Sequence, residues 1–100
     1  MQIQMNTDRH VSGDQEMSTK LKHQLEKALT RFSDHITRLE VHLGDENGSK
    51  SGKNDKRCVL EARLKSRQPI AVSALSPSLE QAATSAIEKM KRMLDTTLSK

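Results

Sequence analysis

This sequence has no tryptophan, no tyrosine and a single phenylalanine. Modules that read single-stranded nucleic acid stack bases on exposed aromatic rings, and this chain cannot build such a platform. One cysteine, Cys58, excludes an internal disulfide framework and agrees with a reducing compartment. No apolar run approaches the roughly 20 residues that cross a bilayer. The first residues, MQIQMN, lack the basic-then-apolar order of a signal peptide. The expectation is a cytoplasmic protein with no membrane contact. Apolar residues are 33% of 100, so residues 1–100 form one domain with a small core.

What the chain does have is charge. Seventeen Lys and Arg face thirteen Asp and Glu, a net charge of +4 that favours an anionic partner. Because both signs are present and periodic apolar segments survive, a folded domain with disordered tips is expected.

The segment Ile36 to Leu64 organises the rest. Leu39, Val41 and Leu43 alternate with Arg38, Glu40 and His42; Cys58, Leu60, Ala62 and Leu64 alternate with Arg57, Val59, Glu61 and Arg63. Period-two alternation predicts two antiparallel strands with one apolar and one wet face. Between them, Gly44 to Asp55 holds three glycines, two asparagines, two serines and two lysines, which predicts a flexible, solvent-exposed loop at about 44–55. Upstream, Met1, Ile3 and Met5 suggest a short first strand. From about Asp14 the spacing of Met17, Leu21, Leu25, Ala28, Leu29 and Phe32 predicts a helix ended by Ser33, Asp34 and His35. Beyond Pro69, Ile70, Val72 and Ala74 predict a fourth strand. Ser76-Pro77 is a helix start, with Ser78 and Gln81 as an alternative capping box one turn out of step. Leu79, Ala82, Ala83, Ala86, Ile87, Met90 and Leu94 form the apolar stripe of that last helix.

The order is β-α-β-β-β-α. A strand-helix-strand unit crosses over right-handed with its strands parallel, and the later strands are antiparallel. The fold class is therefore α+β: a four-stranded mixed sheet with two helices packed on one face. The other face should stay open, carrying Gln2, Gln4, Asn6, Arg38, Glu40, His42, Arg57, Glu61 and Arg63.

No reactive constellation stands out. Gly44 lies six residues before Lys50-Ser51, as in a phosphate-binding loop, but Ser49 occupies the glycine position and no helix follows. Asp45, Asn47 and Ser49 have calcium-loop spacing, yet Lys50 and Lys56 stand at the glycine and bidentate-glutamate positions. His10, His23, His35 and His42 fall in different elements, and Cys58 sits on an apolar face as a small hydrophobe. The expectation is a protein that is not an enzyme, with no cofactor, no metal and no small-molecule substrate.

The basic groups remain. Candidate RNA-binding residues are Lys20, Lys27 and Arg31 on the first helix, Lys50, Lys53, Lys56 and Arg57 in the loop, and Lys89, Lys91 and Arg92 on the last helix. Singly, each is explained by solubility, and the last three also complement the helix dipole. Together they matter more, because phosphate contacts add through counterion release.

Three stretches, HITRLEVHLGDENG, DKRCVLEARL and PIAV, precede the alanine-rich SLEQAATSAIEKMKRML. In this order and spacing the chain resembles the family of ribosome hibernation-promoting factor and ribosome-associated inhibitor A, also called the sigma-54 modulation family. The block is similar to a divergent branch with a long DENG loop. The resemblance implies a fold like that of double-stranded-RNA-binding domains, seated on ribosomal RNA phosphates of the small ribosomal subunit. It implies occlusion of the messenger and transfer RNA channel, inhibition of translation, and ribosome hibernation in stress or stationary phase. By position, Lys89, Arg92 and Lys27 match basic positions of the family. Thr96, Thr97 and Leu98 stand where short members have a lysine-rich tail, and the linker and dimerisation domain of long members do not follow, which implies a monomer. The alternative is a protein-interaction module of the same fold, regulating transcription or phosphotransfer without ribosome binding.

Overall fold

The computed structural model describes residues 1–7, 15–45 and 55–98. Its elements are β1 (Gln2–Thr7), α1 (Gln15–Ala28), a 3-10 turn (Thr30–Phe32), β2 (Ile36–Asp45), β3 (Lys56–Leu64), β4 (Ile70–Ser76) and α2 (Leu79–Leu98). The sheet order is β1-β2-β3-β4, with β1 parallel to β2 and the other pairs antiparallel. This is the α+β fold that the alternation and the crossover rule imply.

The register shows why the hairpin organises the chain. Leu39 lies opposite Ala62, Val41 opposite Leu60 and Leu43 opposite Cys58, so one apolar face forms across both central strands. Ile3 and Met5 extend it through their pairing with Leu39 and Val41. Leu21, Leu25 and Leu29 meet this face from the α1 side, and Ala82, Ala83, Ala86, Met90 and Leu94 meet it from α2, in one continuous core. α2 lies over β3 and β4. Its three alanines, above the small Cys58, Ala62 and Ala74, let helix and sheet approach closely and fill the space without an aromatic residue.

Four local features depart from the sequence expectation. Ile36 and Leu39 are both buried although three residues apart. A bulge at Thr37 restores the phase: Ile36 pairs with Leu64 and Arg38 with Arg63, while Thr37 Oγ1 donates to the Arg63 carbonyl at 3.0 Å. The first helix ends at Ala28 and tightens into the 3-10 turn, where Phe32 N–H donates to the Leu29 carbonyl at 3.0 Å. Thr30 Oγ1 donates back to the Glu26 carbonyl, a local bond that competes with helix continuation. The last helix starts two residues after Pro77, because β4 keeps pairing with β3 out to Ser76 opposite Lys56. Its cap is Ser78, whose Oγ accepts from Gln81 N–H at 3.2 Å and donates to Gln81 Oε1 at 3.3 Å. Finally, Gly44 and Asp45 belong to β2 and are buried, as is Asp55. The first two residues of the expected loop are thus part of the sheet, its last, Asp55, is buried just before β3, and its remainder, 46–54, lies outside the described residues.

The β3–β4 turn contains the one described non-glycine residue with positive φ, Ser66 at 58°. Next to it, Lys65 N–H donates to the His35 carbonyl at 3.0 Å, tying this turn to the start of β2.

Candidate nucleic-acid interface

The spacing of Lys20, Gln24 and Lys27 places them along one side of α1, and Arg31, expected on that helix, continues the row from the 3-10 turn that follows it. In α2 the corresponding row is Glu80, Thr84, Glu88, Lys91 and Asp95. Lys20 Nζ meets Glu80 Oε1 at 3.4 Å, Gln24 Nε2 donates to Thr84 Oγ1 at 3.5 Å, and Arg31 meets Asp95 at 2.7 Å. Partners advance in the same direction along both helices, so the helices run parallel with a polar seam between them. Lys91 is held within α2 by Glu88 at 3.8 Å. Arg31 also lies over the Phe32 ring, 4.4 Å from its centroid, and shields it from water. These pairs are open to solvent: the Lys20 and Glu80 side chains are 77% and 78% exposed.

Beside the seam lies an open groove of about 780 Å³, whose lining includes the acids Glu80 and Glu88 as well as Lys89 and Arg92. Lys89 Nζ donates to the Ser73 carbonyl at 2.7 Å, covering the outer edge of β4 and blunting it against strand pairing. Two of its three donors remain for other acceptors. Among the described residues, Lys27 and Arg92 make no ion pair, and both are exposed.

The hairpin cations behave differently. Lys56 Nζ sits between Asp55 Oδ1 and Asp45 Oδ2, each at 3.1 Å. Its pKa is raised, first by the hydrogen bond to Asp55 and then by that to Asp45. Both carboxylates are buried, and Asp55 Oδ2 has no hydrogen-bond partner among the described residues. Lys56 therefore ties the end of β2 to the start of β3. Arg57 is exposed on the open sheet face, and Lys50 and Lys53 lie outside the described residues.

That open face is charged but self-compensated. In the register, Arg38 lies opposite Arg63 and Glu40 opposite Glu61, like charges facing like, which is unfavourable. Contacts along each strand and one diagonal between them, Glu40 to Arg63, resolve it. Glu40 takes Arg38 at 2.8 Å, Arg63 at 3.2 Å and His42 at 3.5 Å, and Arg63 also reaches Glu61 at 3.6 Å. The hydrogen bond from Arg63 is the largest cause holding the Glu40 carboxyl below its ordinary value, opposed in part by burial. Cys58 is fully buried, and burial pushes its thiol up to about 12, which keeps it protonated and unreactive.

The structure brings Lys20, Lys27, Arg31, Lys89, Lys91 and Arg92 around the two helices and leaves Lys56 and Arg57 at the hairpin. Sequence reasoning missed the acidic row Glu80, Glu88 and Asp95. Its signal was present as helical spacing in α2, but nothing in one sequence says which helix it faces.

Residues 7–100 match the family model described as "Sigma 54 modulation protein / S30EA ribosomal protein". No curated protein matches the sequence closely enough to count. Among solved structures, the N-terminal domain of Thermus thermophilus Protein Y is similar at a TM-score of 0.76 and 16% identity, over 97% of this chain and 99% of that one. A ribosomal subunit interface protein from Coxiella burnetii is similar at a TM-score of 0.69 and 19% identity, over the full length of both. At these identities the two structures establish the fold. The family-model match spans nearly the whole chain, and the protein belongs to the sigma 54 modulation / S30EA ribosomal protein family.

Proposed function

We propose that this protein binds the small ribosomal subunit and occludes its messenger and transfer RNA channel, inhibiting translation and promoting ribosome hibernation in stress or stationary phase. It acts in the cytoplasm with no cofactor and no reaction of its own. The observation that carries this reading is the exposed cationic stretch of α2, Lys89 with Arg92, together with the exposed Lys27 of α1, which makes no ion pair among the described residues, on the frame of a ribosomal-protein family. These three lead the RNA contacts. Lys20, Arg31 and Lys91 join by exchanging carboxylate for phosphate, and Lys56, Arg57, Lys50 and Lys53 extend the footprint along the hairpin. Binding rests on phosphates and shape, since the one phenylalanine is buried beneath Arg31.

Sucrose-gradient sedimentation of a stationary-phase lysate at low salt tests this. The protein should travel with small subunits or whole ribosomes; a protein remaining entirely at the top of the gradient refutes it.

A second reading has an observation of its own. Lys20, Arg31, Lys56 and Lys91 are all neutralised by acids, which suits a protein-interaction module that regulates transcription or phosphotransfer. A pull-down dominated by one protein and insensitive to nuclease would favour it.

A further inference from the structure

The seam between the helices carries a feature that phosphate binding alone does not explain. A surface selected only for affinity to RNA would leave its cations free. Here three acids of α2 stand beside cations of the proposed footprint: Glu80 on Lys20 at 3.4 Å, Asp95 on Arg31 at 2.7 Å and Glu88 on Lys91 at 3.8 Å. Stability does not account for them either, because ion pairs this exposed contribute little to a fold.

We propose that Glu80, Glu88 and Asp95 are selectivity residues, holding Lys20, Lys91 and Arg31 in ion pairs that bare polyanions cannot profitably break. The inference rests on the ribosome-binding reading above. A uniform phosphate lattice that approaches the seam must displace each carboxylate and then face it as a like charge. A ribonucleoprotein surface can offer phosphates to the cations and basic or amide groups to the displaced carboxylates. Repulsion of the wrong partner is an ordinary source of specificity. In this arrangement Lys27, Lys89 and Arg92 supply attraction to any RNA, and the acid row decides which RNA-bearing surface is kept. The seam's neutral rung, Gln24 to Thr84 at 3.5 Å, allows the two helices to stay in register while the pairs on either side exchange.

The test compares the wild type, E80Q/E88Q/D95N, and a charge-matched control, E26Q/D34N/E61Q, whose acids lie off the seam. Each is titrated against a short random-sequence RNA duplex and against purified small subunits, at several salt concentrations. The seam variant should bind the duplex at least about tenfold more tightly than the wild type. Its slope of log affinity against log salt should steepen by about 2 to 3, at about 0.9 for each cation freed. Its affinity for subunits should rise by less than about threefold, and the control should gain less than about threefold on either target. Equal gains by seam variant and control, or equal gains on duplex and subunit, overturn the proposal. A wild type that fails to bind subunits overturns the ribosome-binding reading itself, and the selectivity role with it, whatever the duplex titration gives.

Discussion

Two regions of this domain carry alternating charge, and they use it differently. On the open sheet face, one carboxylate, Glu40, gathers Arg38, Arg63 and His42, and its side chain is only 14% exposed. Along the helix seam, three pairs stand separately with side chains one third to three quarters exposed. Rigid strands fix the first cluster, where removing its centre would leave two arginines opposite each other. Long side chains on helix surfaces make the second, where each pair contributes little to the fold. The sheet cluster is therefore part of the architecture, and the seam is available for exchange with a partner. The same residue types thus yield a partly buried, connected network in one place and separate, exposed pairs in the other, the ones the proposed function assigns to binding.

The comparison can be broken most forcefully at α2. The double change Lys89→Glu with Arg92→Glu should weaken small-subunit binding by about a hundredfold and reduce the salt slope by about 2, since two phosphate contacts are lost and replaced by repulsion. Lys89 also holds the Ser73 carbonyl, so Arg92→Glu alone serves as the cleaner probe, with about a tenfold loss. Unchanged binding by the double variant, measured by sedimentation, would remove both residues from the interface.

The next effect in size is on acid stability. Glu40 has its pKa lowered from 4.5 in the folded state. A depressed carboxyl contributes stability that is present above the unfolded value and lost as pH falls through the folded one. Glu40→Gln should therefore lower thermal stability near neutral pH and flatten its decline below about pH 4.5. A variant with an unchanged acid profile would show that the sheet cluster is not structural. Lys56 gives the opposite sign. Its pKa is raised from 10.5, so its contribution is intact below that value and lost as pH rises through the folded one. Lys56→Met should remove this alkaline sensitivity while loosening the tie between Asp45 and Asp55.

The smallest effect sharpens the contrast. Lys20→Met or Glu80→Gln should change unfolding free energy by less than about 0.5 kcal/mol, as for other exposed pairs. A larger loss by chemical denaturation would mean the seam is structural after all.

How much of this was legible in the sequence depends on the range of the interaction. The alternation of Leu39, Val41 and Leu43 and of Leu60, Ala62 and Leu64 was enough to place the central strands, because burial follows a local period there. Helical spacing likewise placed Leu21, Leu25, Met90 and Leu94. The bulge at Thr37 was hidden because Ile36 keeps its burial through one unpaired residue, which breaks the period. Of the two starts the sequence offered for α2, the Ser78 and Gln81 cap is the one used, because strand pairing to Ser76 outweighed the local preference of Pro77. The burial of Asp45 and Asp55 could not be read because both lie in a polar run and depend on Lys56 bridging two strands. As for the candidate interface, the basic residues were legible one by one. Their neutralisation was not, since Lys20 meets Glu80 across 60 positions of chain.

The central claim is that exposed cations on the two helices act by displacing counterions from ribosomal RNA phosphates. Its most direct test is the affinity of the wild-type protein for purified small subunits as a function of salt. The account predicts a linear fall of log affinity with log salt, with a slope of about −3 or steeper, corresponding to at least the three cations that lead the footprint. A slope near zero, with binding retained at high salt, would contradict it.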